Sequence, residues 1–287
     1  MDDGNSLGEY LRARRELVGP EDVGIRVTGT RRVAGLRREE VAMLAGVSAD
    51  YYMRLEQGRD RNPSAQVLAA LAEVLQLDEP ATDYLMALTR DRPQRAARPR
   101  REMVPPGIRS LLDVLQQPAF VEGRHLDVLA ANPLATALSP TFLPGRNRLR
   151  DFFLDPGERM LYTDWERAAA GLVAGFRASV GTDTADPRVV QLVGELSLKS
   201  DLFRRLWARH DVRLRQSGTA SLRHPELGDI TLRREKLAIG ETEGLLLVVF
   251  HAERGSEAEG MLAVLGSLAA PPPPPLPARG AAPAPRP

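Results

Sequence analysis

The chain has 287 residues, 43% of them hydrophobic, a formal net charge of +1 and no cysteine. That length holds two ordinary domains with real cores. Without cysteine there is no disulfide framework, cysteine nucleophile or thiolate zinc site, and no apolar run approaches the roughly 20 residues of a membrane span. The start, MDDGNSLGEY, is acidic and polar rather than signal-peptide-like, so the cytoplasm is the expected compartment. Lys199 and Lys236 are the only lysines, so the positive charge is nearly all arginine; with abundant alanine and glycine this points to a GC-rich genome. A charge so close to neutral does not argue for nucleic-acid binding, and only its distribution can.

Apolar Leu7, Tyr10, Leu11 and Leu17 set among arginines predict a helix over residues 7–18. Residues 19–35 carry Pro20 and the pair Arg31 and Arg32, and read as a long loop or irregular turns. A second helix is expected over 38–45 and a third over 49–57, separated by Gly46-Val47-Ser48 and ended by Gly58. Ser64 can cap a fourth over 65–75, and a fifth is expected over 79–89. The run DRPQRAARPRR, residues 91–101, lacks apolar spacing and reads as a linker.

Beyond it, 119–121 and 126–130 read as short strands, 132–138 as a short helix, and 163–180, 187–200 and 201–209 as longer helices. The period then changes. Residues 212–216, 219–224, 230–239 and 245–251 are strand-like, and 257–268 reads as a last helix before a proline-rich tail. The expected organisation is an all-α domain over 1–90, a linker over 91–104, an α+β domain over 105–268 and a tail over 269–287.

The strongest signal is RREEVAMLAGVSADYYMRLEQG, residues 37–58. Two short helices joined by a glycine-containing turn make a unit whose second helix can enter the DNA major groove. Ala42 is small where the helices would approach, Gly46 permits an unusual backbone conformation, and Ser48 can cap the third helix. Tyr52 and Leu55 share one face and would anchor it, leaving Ala49, Asp50, Met53 and Arg54 outward with Tyr51 on the flank. Arg54 is the best base reader, because its planar fork can pair with guanine O6 and N7. Asp50 could accept from cytosine N4 or orient Arg54 four residues on. Arg26, Arg31, Arg32 and Arg37 form a basic stretch in or beside the insert, either an extension of the phosphate footprint or a solvated loop.

Residues 7–90 resemble the helix-turn-helix of the Xre family, related to phage repressors and Cro, most specifically in the E-V-A-x-x-A-G-V-S run and the L-E-Q-G ending. The resemblance implies that Ala49, Asp50, Tyr51 and Arg54 face base edges. It also implies that Arg38, Arg59, Arg61, Asn62 and Ser64 hold phosphates and that Arg15 and Glu56 form a structural ion pair. The insert before residue 37 departs from compact members of that family. Phrases such as DVLAANPLATAL, DWERAAAGLVAGFRASVG and GLLLVVFHAERGSEAEGMLAVLGSL are similar to the MmyB-like family of actinobacterial regulators, and the similarity spans nearly the whole chain except the tail. It implies a PAS-like ligand-binding domain and a fatty-acid-like ligand.

A PAS-like sheet with helices across one face would enclose an apolar cavity. Trp165, Phe176, Phe203 and Trp207 could line it or simply form core. A carboxylate ligand would want Arg177 or His210, although Arg177 could equally pair with an acid and Asn132 could cap its helix rather than meet a ligand. Enzyme signatures are missing: there is no H-E-x-x-H, phosphate loop or dinucleotide glycine pattern, and the two lysines offer no serine–lysine dyad. The expectation is therefore a non-enzymatic, homodimeric regulator of double-stranded DNA with a small-molecule effector, no cofactor, no metal and no membrane. The competing expectation is a C-terminal domain that only dimerises or docks a protein.

Overall fold

The computed structural model describes residues 5–27, 31, 33–89, 102–183, 186–213, 217–242 and 244–269. The linker expected over 91–101, most of the tail and Arg32 lie outside the described residues.

The N-terminal part is helical: α1 (Ser6–Leu17), a 3-10 turn (Glu21–Val23), α2 (Arg38–Leu44), α3 (Ala49–Glu56), α4 (Ala65–Val74) and α5 (Glu79–Leu88). Apolar side chains at helical spacing converge on one core, with Tyr10, Leu11, Leu36, Tyr52, Leu55 and Leu71 wholly buried. Side-chain caps fix where the helices begin. Ser48 accepts from the Tyr51 amide at 3.1 Å, Ser64 from Val67 at 3.3 Å and Asp78 from Ala81 at 3.1 Å. Gly46, at φ 68°, lets the chain turn between α2 and α3 while the Val47 amide returns to the Ala42 carbonyl at 3.0 Å. The insert ends against α1, where Leu36 donates to the Arg15 carbonyl at 3.1 Å. A Cβ on Gly35 would lie 2.6 Å from that carbonyl, which only glycine tolerates.

The C-terminal part runs α6 (Pro106–Val114), β1 (Ala119–Glu122), β2 (Val128–Ala131), α7 (Pro133–Leu138), α8 (Arg148–Leu154), α9 (Pro156–Leu161), α10 (Trp165–Val180), α11 (Pro187–Lys199), α12 (Asp201–Ala208), β3 (Gly218–His224), β4 (Gly228–Ala238), β5 (Leu246–His251) and α13 (Glu257–Ala269). The strands form one antiparallel sheet in the order β2-β1-β5-β4-β3. β3 and β4 alternate, sending Ala220, Leu222, Ile230 and Leu232 inward. That face packs on Leu138 of α7, Leu161 of α9 and Leu262 and Leu265 of α13. The other face meets α6 through Val121, Leu247 and Leu112. α8, α10, α11 and α12 make a second, aromatic-rich helical layer.

This is an α+β domain after an all-α one, as the alternation of patterns predicted. Three helices were not foreseen. α6 opens on Pro-Pro-Gly, which reads as a turn, but proline suits the first helical turn, where its missing N–H costs nothing. α8 and α9 are one to two turns each, too short for periodicity to register. The strand expected at 212–216 is not seen at Val212 and Arg213, and the rest of it lies outside the described residues. Val212 is apolar for another reason, since it is buried against the N-terminal core.

One charged cluster is sealed into the C-terminal domain. Glu122 on β1 is wholly buried and accepts from Arg148 at 2.5 Å and Lys236 at 3.0 Å. The Arg148 guanidinium lies 5.0 Å from the centroid of the Phe120 ring and 5.2 Å from that of Phe142.

Candidate nucleic-acid interface and ligand-binding domain

α3 is held by its inner face, where Tyr52, Leu55 and Glu56 are buried. Ala49 and Asp50 stand exposed and Tyr51, Met53 and Arg54 are half-buried, so the four residues offered for reading share the outer side with Met53. Asp50 and Arg54 pair one turn apart, and the Arg54 guanidinium lies 5.7 Å from the Tyr51 ring centroid. Both contacts lay the fork along the outer surface of α3. An exposed i,i+4 pair is worth only about 0.3–0.5 kcal/mol, so a base edge can displace it.

The structure divides the expected phosphate set in two. Arg37, Arg59, Arg61 and Asn62 are exposed around α3, with Arg61 steadied by the Gly58 carbonyl at 2.9 Å. Arg31, Arg38 and Ser64 have structural partners. Arg31 makes a two-pronged bond to Glu40, both arms 2.7 Å, and a third to the Gly35 carbonyl at 3.0 Å. Arg31 foremost, with help from the Arg37 amide against the effect of burial, holds the Glu40 carboxyl down at about 2. Arg38 donates to Glu56 at 2.6 Å, and Ser64 spends its hydroxyl on the α4 cap.

Glu56 is the hub beneath this surface. It takes Arg15 at 2.6 Å on one oxygen and Arg38 on the other, and Arg15 also donates to the Leu36 carbonyl at 2.8 Å. Burial pushes the Glu56 carboxyl up, but the two arginines overcome it and keep it below the usual carboxylate range. Glu40 was not singled out in the sequence. Its signal was there in Arg37-x-x-Glu40, an acid placed to reach back to the Arg37 amide that caps α2, which it does at 2.7 Å.

In the C-terminal domain the residues proposed for a pocket fall in two places, the sheet edge and the aromatic helical layer. Asn132 is built into the sheet edge: it caps α7 through the Ala135 amide at 2.9 Å, accepts from Ala119 at 3.0 Å and donates to Leu115 and Gln117 carbonyls. Trp165 stacks on Phe152 in the helical layer. Phe176, Arg177, Phe203 and Trp207 come together, and His210 beyond them meets Tyr10 of the N-terminal domain. A separate groove of about 750 Å³ runs between α6, α7 and α13, lined by Leu112, Leu115, Leu134 and Leu262 with Gln117 and Asn132 at its polar edge.

The C-terminal domain, residues 104–265, matches the MmyB-like transcription regulator ligand binding domain, which is more than half of the chain. The chain belongs to the MmyB-like transcription regulators. Residues 6–85 of this regulator match a helix-turn-helix domain, the span from α1 to α5. No curated protein matches the chain. The MmyB-like regulator is thus a DNA-binding transcription regulator with a ligand-binding domain, and no helix among its described residues is long and apolar enough to cross a membrane.

Two substitutions on the regulator's outer face separate base reading from phosphate holding. Arg54→Ala is expected to weaken binding to an enriched duplex by about 1–3 kcal/mol while scrambled DNA is bound nearly as before; anisotropy titrations measure it, and equal loss on both duplexes removes Arg54 from base reading. Arg59→Ala is expected to weaken both alike and to shrink the salt slope by about one unit. An unchanged slope takes Arg59 out of the phosphate set.

His210 makes a pH prediction. Burial first, then the cationic Arg177 and Arg14, push its pKa from 6.5 down to about 3. The unfolded chain therefore takes up the proton first as pH falls below 6.5, and stability is lost on the way down to about 3. The slope from this one group approaches 1.4 kcal/mol per pH unit. His210 sits at φ 54°, a conformation asparagine also accepts, so His210→Asn should flatten the difference in urea stability between pH 7 and pH 5. An unaltered pH dependence would show that His210 titrates normally.

Proposed function

We propose that this regulator is a cytoplasmic, homodimeric, sequence-specific DNA-binding protein with an Xre-type head, and that its PAS-like C-terminal domain takes an apolar or fatty-acid-like small molecule. Each head would place α3 in a major groove, so that half-sites lie about 34 Å, or a multiple of that, apart. Ala49, Asp50, Tyr51 and Arg54 are the base-facing set, with Arg37, Arg59, Arg61 and Asn62 the freest to meet phosphates. The protein is not an enzyme. The observation that carries the ligand half is the open groove of about 750 Å³ between α6, α7 and α13, which mixes apolar Leu112, Leu115, Leu134 and Leu262 with polar Gln117 and Asn132 and the acids Asp113 and Glu259, and which has the size of a small-molecule site.

A second reading has its own support. Val114 and Leu111 on α6 and Val264 on α13 stand exposed beside the same groove, and an exposed apolar face also suits a second copy or a protein partner. Extraction of the protein purified from its native host, followed by mass spectrometry, separates the two. A stoichiometric lipid or metabolite released only on denaturation supports the ligand reading and names its class. A clean extract, with no thermal shift across a fatty-acid and metabolite panel, supports the docking reading and leaves DNA binding untouched.

A further inference from the structure

The residues that join the two domains are few and mostly polar. From the N-terminal side come Tyr10 and Arg14 on α1 and Tyr84 on α5. From the C-terminal side come Arg177 on α10 and the residues 210–212 that follow α12. Arg177 is 3% exposed; it donates to the Trp207 carbonyl at 2.5 Å, lies 3.8 Å from the centroid of the Trp207 ring, and feels the Tyr84 phenol across the seam. Tyr84 packs on Tyr10 at 5.3 Å, and Tyr10 meets the edge of His210 at 6.3 Å. Arg14 bonds Asp211 at 2.6 Å, with both side chains largely buried. Val212 and Ala178 are the apolar side chains the C-terminal domain contributes to the N-terminal core.

We propose that this seam is a latch centred on Arg177, through which the ligand-binding domain sets the orientation of the DNA-reading face. The part played by a ligand rests on the reading above; the latch itself does not.

Three observations carry it. The first is that the docked state is penalised. Arg177 is a buried cation whose Nε has no hydrogen-bond partner and whose contacts are a carbonyl and a ring; the carboxylate that acts on it, Asp211, is already paired with Arg14 and Arg209. Burying charge without a contacting counter-ion costs several kcal/mol, and Val212 and Ala178 bring little apolar area to offset it. That cost weakens the preference for the docked state, which a switch needs. The second is a continuous path into the domain. Trp207 stacks on Phe203 at 5.8 Å, Phe203 meets Phe153 at 5.2 Å, and Phe153 meets Trp165 at 6.1 Å. Repacking of the helical layer therefore moves the ring that holds Arg177. The third is that docking leaves the outer face of α3 exposed. The docked head can read DNA, and what the latch supplies is a fixed orientation for two heads to engage two half-sites together.

The test uses the full chain with Tyr84→Phe and Arg14→Ala combined, which removes one hydroxyl and one seam charge and spares every core residue of the C-terminal domain. Both tryptophans, Trp165 and Trp207, are in that domain, and Trp207 touches the seam, so acrylamide quenching reports undocking. The variant should be quenched more than wild type, and its calorimetric unfolding should divide into two transitions. Its affinity for a duplex enriched from a random pool by the wild-type protein should fall at least about 5-fold, the lower end of ordinary coupling between sites, while affinity for a scrambled duplex holds. Unchanged quenching and a single transition overturn the latch. Undocking with no loss on the enriched duplex, or with equal loss on both duplexes, overturns its role in DNA binding. No ligand enters the experiment, so a clean extract from the native host would defeat the ligand reading and leave this result standing.

Discussion

Glu56→Ala should unfold the helix-turn-helix head and abolish DNA binding while the sheet of the ligand-binding domain keeps its circular dichroism. The side chain of Glu56 is 2% exposed and answers two arginines, one of them, Arg15, with only 9% of its side chain exposed. Removing one partner of a buried pair costs about 3–5 kcal/mol, because the other charge stays buried without its counter-ion. A domain's whole stability is about 5–15 kcal/mol, so a loss of that size takes most of it in a small head at the low end of that range. The site also ties together α1, the end of the insert and the start of α2, since Arg15 holds Leu36 and Arg38 opens the helix. Urea titration followed at 222 nm, with anisotropy on DNA, measures both effects. A loss below about 1 kcal/mol would mean that the pair behaves as a surface one.

The second large effect is expected in the other domain. Glu122→Ala deprives Arg148 and Lys236 of a shared carboxylate, and their side chains are 5% and 6% exposed. β1 has a neighbour on each side, so the change falls in the middle of the sheet. The expected cost is again about 3–5 kcal/mol, and the helical head should keep its own unfolding transition. If the sheet signal survives with unaltered urea midpoint, Glu122 is not the counter-ion that organises this core.

How far these two sites could be read from the sequence differs for a physical reason. The Arg15–Glu56 pair was implied by the resemblance of the head to the Xre family, because a short-range helical unit carries its contacts in a recognisable spacing. The Glu122–Arg148–Lys236 cluster joins residues from β1, α8 and β4, and nothing local marks such partners. The outward face of α3 was legible because Tyr52 and Leu55, three apart, fix which side is buried. Arg31 was read as a basic loop residue, but its partner Glu40 lies nine positions on, so its engagement needed the folded insert. In the ligand-binding domain β3 and β4 were legible from alternation and β5 from its continuous apolar run, and Trp165, Phe203 and Trp207 from their helical spacing. That spacing does not say whether an aromatic meets a cavity, a core or another domain. The groove at α6, α7 and α13 went unread because α6 begins in a proline-rich turn signal and its walls come from distant segments.

The most direct test of the account is an anisotropy titration of the intact protein at about 150 mM salt against a duplex it has enriched from a random pool, beside a scrambled duplex of the same composition. A sequence-specific regulator should prefer the enriched duplex by at least about 1,000-fold, with most of that preference eroded in Arg54→Ala. Equal affinity for the two duplexes, falling together as salt rises, would show a protein that holds phosphates without reading bases, and would contradict the account.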